Sequence, residues 1–161
     1  MYYLRCNYQI NQIYQQRNSC QLDEHHDTIA VYRGQLISRT DFEFLCQLQN
    51  KIISIHGFLS TTTSFQIAHC FLNAWTTGKD MVPVIFCIQV NQALDYIRPY
   101  GDISQFSVFP DEEEILFCMG SIFRVGNIES LDHMSDVSVI HLTALSIQEM
   151  DTYGICNRIK D

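Results

Sequence analysis

Short apolar runs and two-residue alternation, not helical stripes, dominate this chain from position 28 onward. Residues 28–34, T-I-A-V-Y-R-G, carry Ile29 and Val31 among β-favouring neighbours and predict a strand that Gly34 ends. Residues 51–55 form a second short β-rich run. Residues 57–64, G-F-L-S-T-T-T-S, predict a third strand that closes in a hydroxyl-rich turn. The run V-P-V-I-F-C-I-Q-V at 82–90 is almost continuously apolar, as a strand in the middle of a sheet should be. Pro83 belongs at its start, where a missing donor matters least. Residues 93–97 predict another short extended piece, 98–102 a turn or loop, and 119–121 a turn. Residues 122–128 and 137–145 predict two further strands. In the last, Val137, Val139 and His141 alternate with Ser138, Ile140 and Leu142.

Helical spacing is confined to the first half. Residues 1–20 are rich in Tyr, Gln and Asn, with Leu4, Ile10 and Ile13 as the main aliphatics, and predict a weak helix with a thin apolar face. In 38–49, Thr40 stands as N-cap with Glu43 three residues on, a capping box, followed by a core stripe of Phe44, Leu45 and Leu48. Ser64 caps a helix whose apolar face is Ile67, Cys70, Phe71 and Ala74, and residues 76–80 form a polar loop. The expected fold class is α+β, with helices mainly in the N-terminal half. Its expected organisation is a polar helical lead-in at 1–27, a body at 28–148, and a polar tail at 149–161 that frays.

A chain of 161 residues is long enough for one domain with a real core. The net charge of -8, without any basic run, argues against nucleic acid and anionic membranes as partners. Seven cysteines at 6, 20, 46, 70, 87, 118 and 156 include no C-x-x-C pair, which speaks against a zinc ribbon or a complete disulfide framework. Cys70, Cys87 and Cys118 sit in apolar runs and read as small core residues, favouring a reducing compartment. His25 and His26 are adjacent and diverge on any regular element, so 22–27 reads as a solvated linker; no metal site is expected. His69 reads as a packed or surface histidine. The N-terminus lacks the basic-then-apolar order of a secretion signal, and no apolar stretch nears the ~20 residues that span a bilayer. A soluble, cytoplasmic protein is expected.

Candidate chemistry gathers at three places. Glu112, Glu113 and Glu114 run straight into Ile115, Leu116 and Phe117, the mouth of a buried strand. On a strand Glu112 and Glu114 share one side, about 7 Å apart at Cα, and Glu113 takes the other. Arg33 stands one residue before Gly34, where a guanidinium can fork onto a phosphate or ribose and a ligand can approach the main chain. The hydroxyl-rich strand at Ser60, Thr61 and Thr62 lies between them in sequence.

In this order, Y-R-G at 32–34, F-L-S-T-T at 58–62, F-P-D-E-E-E-I-L-F at 109–117 and G-S-I-F-R-V at 120–125 resemble the arginine–serine–glutamate class of mono-ADP-ribosyltransferases. The similarity covers roughly residues 28–145. It implies a split β-sandwich that binds NAD as co-substrate in contact with Tyr32, Arg33, Gly34, Ser60, Thr61 and Phe71. Arg33 would hold the phosphate–ribose region and the Gly34 backbone the nicotinamide carboxamide. Ser60 would position Glu114, and Phe71 would stack on nicotinamide or pack in the helix core. Glu114 would hold the nicotinamide-ribose hydroxyl and stabilise an oxocarbenium-like state. Glu112 would orient the acceptor, an arginine side chain of a target protein. Hydrolysis of NAD with water as acceptor, or binding of NAD or ADP-ribose without catalysis, would use the same site. The helical segment ahead of the Y-R-G strand is shorter and more polar than the family's, as expected of a fragment or a diverged member.

Overall fold

The computed structural model describes residues 8–15, 28–73, 80–96, 98–131 and 136–154. The expectations for Leu4, the His25–His26 pair, Ala74, most of the 76–80 loop and the last seven positions, 155–161, fall outside them. Among the described residues eight strands form: β1 Thr28–Ser38, β2 Ile52–Ile55, β3 Leu59–Thr62, β4 Met81–Asn91, β5 Tyr100–Asp102, β6 Glu114–Phe117, β7 Ser121–Ser130 and β8 Ser138–Ala144. They join in the order β2-β7-β8-β4-β1-β3-β6-β5. Only β4 and β8 run parallel; the other neighbours are antiparallel.

β4 occupies the centre that its apolar run predicts. Val84 and Ile85 point to opposite faces and both are fully buried, so the strand is covered on both sides. Its ladder with β1 is unbroken from Thr28↔Asn91 to Ser38↔Met81. β1 and β3, by contrast, pair only at Tyr32↔Thr62. At that joint the sheet is nearly in two, and the halves fold onto one core. Phe117 of β6 meets Phe123 of β7 at 5.5 Å between ring centres, although β8, β4, β1 and β3 separate the two strands in the sheet. This is the split β-sandwich expected. Burial of each such ring contributes about 1.5–3 kcal/mol.

Residues 8–15 form α1, which buries Ile10 and Tyr14, and the Tyr14 hydroxyl accepts from the Tyr96 backbone N–H at 3.0 Å. α2 spans Arg39–Gln47 and α3 Phe65–Asn73. Ser64 caps α3 as expected, its Oγ accepting from the Ile67 N–H at 3.4 Å. α4 spans Ile147–Thr152 and opens with a capping box of Ser146 and Glu149. No helix among the described residues is long and apolar enough to cross a membrane.

Several local expectations are corrected. β1 does not end at Gly34 but runs four residues further, because β4 pairs with it throughout. The cap of α2 is therefore Ser38, whose Oγ accepts from Asp41 N–H at 3.0 Å, and not Thr40. α2 buries no residue: Phe44 is exposed, while Phe42, Leu45 and Leu48 pack partly against the core. The segment after β4 turns instead of extending, because Asn91 Oδ1 accepts from the Ala93 N–H and the Tyr96 hydroxyl bonds back to Asn91. The turn expected at 98–102 holds strand β5, which pairs Gly101 with Leu116. Where fraying was expected from position 149, Met150 is buried and Glu149 accepts from Arg124 at 3.1 Å.

Candidate active site

Beyond Tyr32↔Thr62, β1 keeps its ladder with β4, while β3 pairs with β6 through Ser60↔Leu116 and Thr62↔Glu114. The two strands part, and a cavity of about 530 Å3 opens between them. Tyr32, Arg33 and Gly34 line it from β1, and Ser60 and Thr61 from β3. Phe71 of α3, Glu112 and Glu114 complete the group. All the residues singled out for chemistry in the sequence therefore meet at one place.

Ser60 Oγ donates to Glu114 Oε1 at 2.6 Å, which fixes the carboxylate at the strand mouth. Arg33 reaches across the opening, its Nη1 donating to the Ser60 carbonyl at 2.9 Å and its Nε to Gln35 Oε1 at 3.1 Å. Burial lowers the Arg33 pKa from its ordinary value, and the negative charge of Glu114 opposes that shift. Thr61 is used differently: it is buried, and its hydroxyl donates to the Ile115 carbonyl of β6 at 2.7 Å.

The acidic triplet is not a strand alternation. β6 begins only at Glu114, and Pro110–Glu112 forms a 3-10 turn with proline in its first position. Glu113 then takes a left-handed conformation, φ 48 and ψ 52, which costs a non-glycine residue about 1–3 kcal/mol. Its exposed carboxylate accepts a hydrogen bond from the Thr63 hydroxyl. Glu112 and Glu114 still face one cavity and Glu113 stays out of it. A turn brings this about, not the two-residue period.

A family model described as ADP-ribosyltransferase exoenzyme matches residues 5–149. The chain belongs to this family. No curated protein sequence matches it. Among solved structures, the ADP-ribosyltransferase Vis from Vibrio splendidus, in complex with the M6 inhibitor, is 22% identical with TM-score 0.58, over 76% of this chain and 51% of that one. HopU1 of Pseudomonas syringae pv. Tomato DC3000 is 22% identical with TM-score 0.56, over 74% and 46%. An ADP-ribosyltransferase from Clostridium botulinum is 16% identical with TM-score 0.55, over 84% and 67%. At these identities the likeness is one of fold. The chain spans about half the length of the first of these structures.

Within this exoenzyme domain, Gly34 answers first to packing. A Cβ there would lie 1.9 Å from the Ala68 carbonyl oxygen, so α3 can rest on β1 only over glycine. The side of α3 that meets the sheet is Ala68 and Leu72, and not the face of Ile67, Cys70 and Phe71 that hydrophobicity alone suggested. Cys70 is exposed, whereas Cys87 and Cys118 are buried as expected. Phe71 is 47% exposed at the cavity, so helix-core packing does not account for it. Tyr32 sets its ring edge-on to Phe65 at 5.5 Å; burial, then Cys87, raises its pKa. Gln35, Leu36 and Met81 also line the cavity and were missed. Gln35 stands two residues after Arg33, the same-face spacing of a strand, but the strand was expected to stop at Gly34.

Proposed function

We propose that this chain transfers ADP-ribose from NAD to arginine side chains of a target protein, releasing nicotinamide. The observation that carries the reading is the 2.6 Å Ser60–Glu114 hydrogen bond in the cavity that Arg33 and Glu112 also line. The residues suit a dinucleotide. A partly buried guanidinium held by two neutral acceptors retains its charge for a diphosphate. The Gly34 backbone and the half-exposed Phe71 ring are available to an amide-bearing aromatic ring.

NAD supplies a ribose carbon whose bond to nicotinamide breaks with its electron pair leaving on nicotinamide. Glu114, held by Ser60, holds a ribose hydroxyl and stabilises the positive charge that develops on that carbon. Arg33 binds the diphosphate. Glu112 orients the acceptor guanidinium and takes the proton it loses as its nitrogen bonds to the ribose carbon. Two carboxylates, one for the cation and one for the incoming group, parallel glycoside hydrolysis. Vis has been solved with agmatine, a decarboxylated arginine, which lends support to a guanidinium acceptor. Cys46, Cys70 and Cys87 form no disulfide, in keeping with action in a reducing compartment such as the cytoplasm.

Incubation with NAD and agmatine, following nicotinamide release and ADP-ribosyl-agmatine, tests the reading. Glu114→Gln should reduce both by about 100-fold or more. Glu112→Gln should abolish transfer to agmatine while nicotinamide release persists. A folded wild type that neither releases nicotinamide nor labels agmatine overturns the proposal. Release with no labelling in wild type makes water the acceptor instead.

A further inference from the structure

Arg33 is half-buried, and Glu114 acts on it through its charge without pairing with it. Among the described residues it forms no ion pair, and its two acceptors are the Gln35 side-chain oxygen and the Ser60 carbonyl. Glu114, the acid beside it, is engaged by the Ser60 hydroxyl. Arg33 and Gln35 are two residues apart on β1, so both project from the same side of the strand. At this point β3 has turned away, which leaves room for the two side chains to meet.

We propose that Gln35 is a positioning residue: by accepting from Nε without bringing a charge, it locks the plane of the Arg33 guanidinium and leaves its positive charge to a diphosphate. Nε and Nη1 lie on different corners of the planar fork. Holding both prevents rotation about the last side-chain bonds, and the Nη2 corner carries no hydrogen bond within the described structure. A glutamate at 35 would hold the plane equally well. It would also pair with the cation and set a second negative charge against the phosphates. The neutrality of the glutamine, and not only its reach, is therefore the functional property. Gln35 is exposed and packs into no core, so its replacement tests the site without disturbing the fold. The diphosphate as ligand rests on the NAD reading above; the geometry of Arg33 does not.

The test compares wild type with Gln35→Met, which keeps the length and removes the acceptor, and with Gln35→Glu. Calorimetry measures binding of NAD and, separately, of inorganic pyrophosphate, and kinetics follow nicotinamide release. Gln35→Met should weaken both ligands by about 5- to 10-fold and raise KM for NAD with kcat nearly unchanged, since the diphosphate is remote from the breaking bond. Gln35→Glu should be weaker still, by about 30-fold or more, with part of the loss recovered at high salt. The unfolding midpoint should not move. Pyrophosphate binding that is undetectable at millimolar concentration in wild type, or equal in all three proteins, overturns the proposal, as does Gln35→Glu binding as tightly as wild type. If pyrophosphate follows the expected order and NAD does not bind, the role of Gln35 stands and the NAD reading falls.

Discussion

At the scale of single residues, the site depends on where one carboxylate is held. Glu114 opens β6 and Ser60 sits on β3, the strand beside it; Ser60 pairs with Leu116 and Glu114 with Thr62, so the hydroxyl reaches the acid diagonally across the ladder. In the proposed mechanism, removing that hydroxyl leaves Glu114 free to rotate away from the ribose. Ser60→Ala should therefore lower kcat for nicotinamide release by about 10- to 100-fold, the worth of a ~1.5–3 kcal/mol hydrogen bond to a charged group. NAD binding should change less, because Arg33 bonds to the Ser60 backbone carbonyl, which survives the substitution. An unchanged kcat in steady-state assays would show that Ser60 does not position the acid. Arg33, Ser60 and Glu114 were legible in the sequence because Y-R-G, F-L-S-T-T and the acidic run stand in the order of the family they resemble. Gln35 was not: an isolated glutamine carries no signal until its neighbour's guanidinium is located.

At the scale of elements, the cavity exists because α3 lies close to β1 on one side while β3 parts from it on the other. Gly34 permits the first of these. Gly34→Ala would drive a methyl group into the Ala68 carbonyl at 1.9 Å, a backbone atom that cannot rotate aside, so the helix must shift. A destabilisation of about 1–3 kcal/mol or more is expected from overpacking of this kind, with weakened NAD binding as the α3 wall moves. Urea denaturation checks the first outcome and calorimetry the second. A variant with wild-type stability would mean that α3 does not rest on β1 as described. The helix itself was readable from Ser64 and its spacing, but not its buried side. Phe71 outranks Ala68 in hydrophobicity, yet only the small residue fits over the glycine.

At the scale of the whole molecule, burial acts on groups that stay uncharged. Burial raises the pKa of the Cys87 thiol, with Glu129 adding to it, and burial raises Tyr32 and Tyr96 as well. Each is neutral in both states at pH 7. Above about pH 8.5 the thiol ionises in the unfolded chain before it does so in the folded one, and above about pH 10 the tyrosines follow. The unfolded state then binds fewer protons, so stability falls as pH rises. Denaturation midpoints measured from pH 7 to 10.5 should decline over this window. Cys87→Ala should flatten the part nearest pH 9, and a midpoint that holds steady to pH 10.5 would refute the account.

The residues alone determined most of the strands (though not β5 or the turn after β4), which strand lies at the centre, and which side chains are candidates for chemistry, because hydrophobic period and residue type are local properties. They also determined the acidic mouth of β6, though not its shape: Pro110 and a left-handed Glu113, not alternation, turn Glu112 and Glu114 the same way. Tertiary structure decided the rest. How far β1 runs depends on β4, which face of α3 is buried depends on Gly34, and the cavity depends on β1 and β3 sharing a single pair before they part. Each of these is a contact between segments distant in the chain, settled by which surfaces pack most closely, and no local pattern encodes that choice.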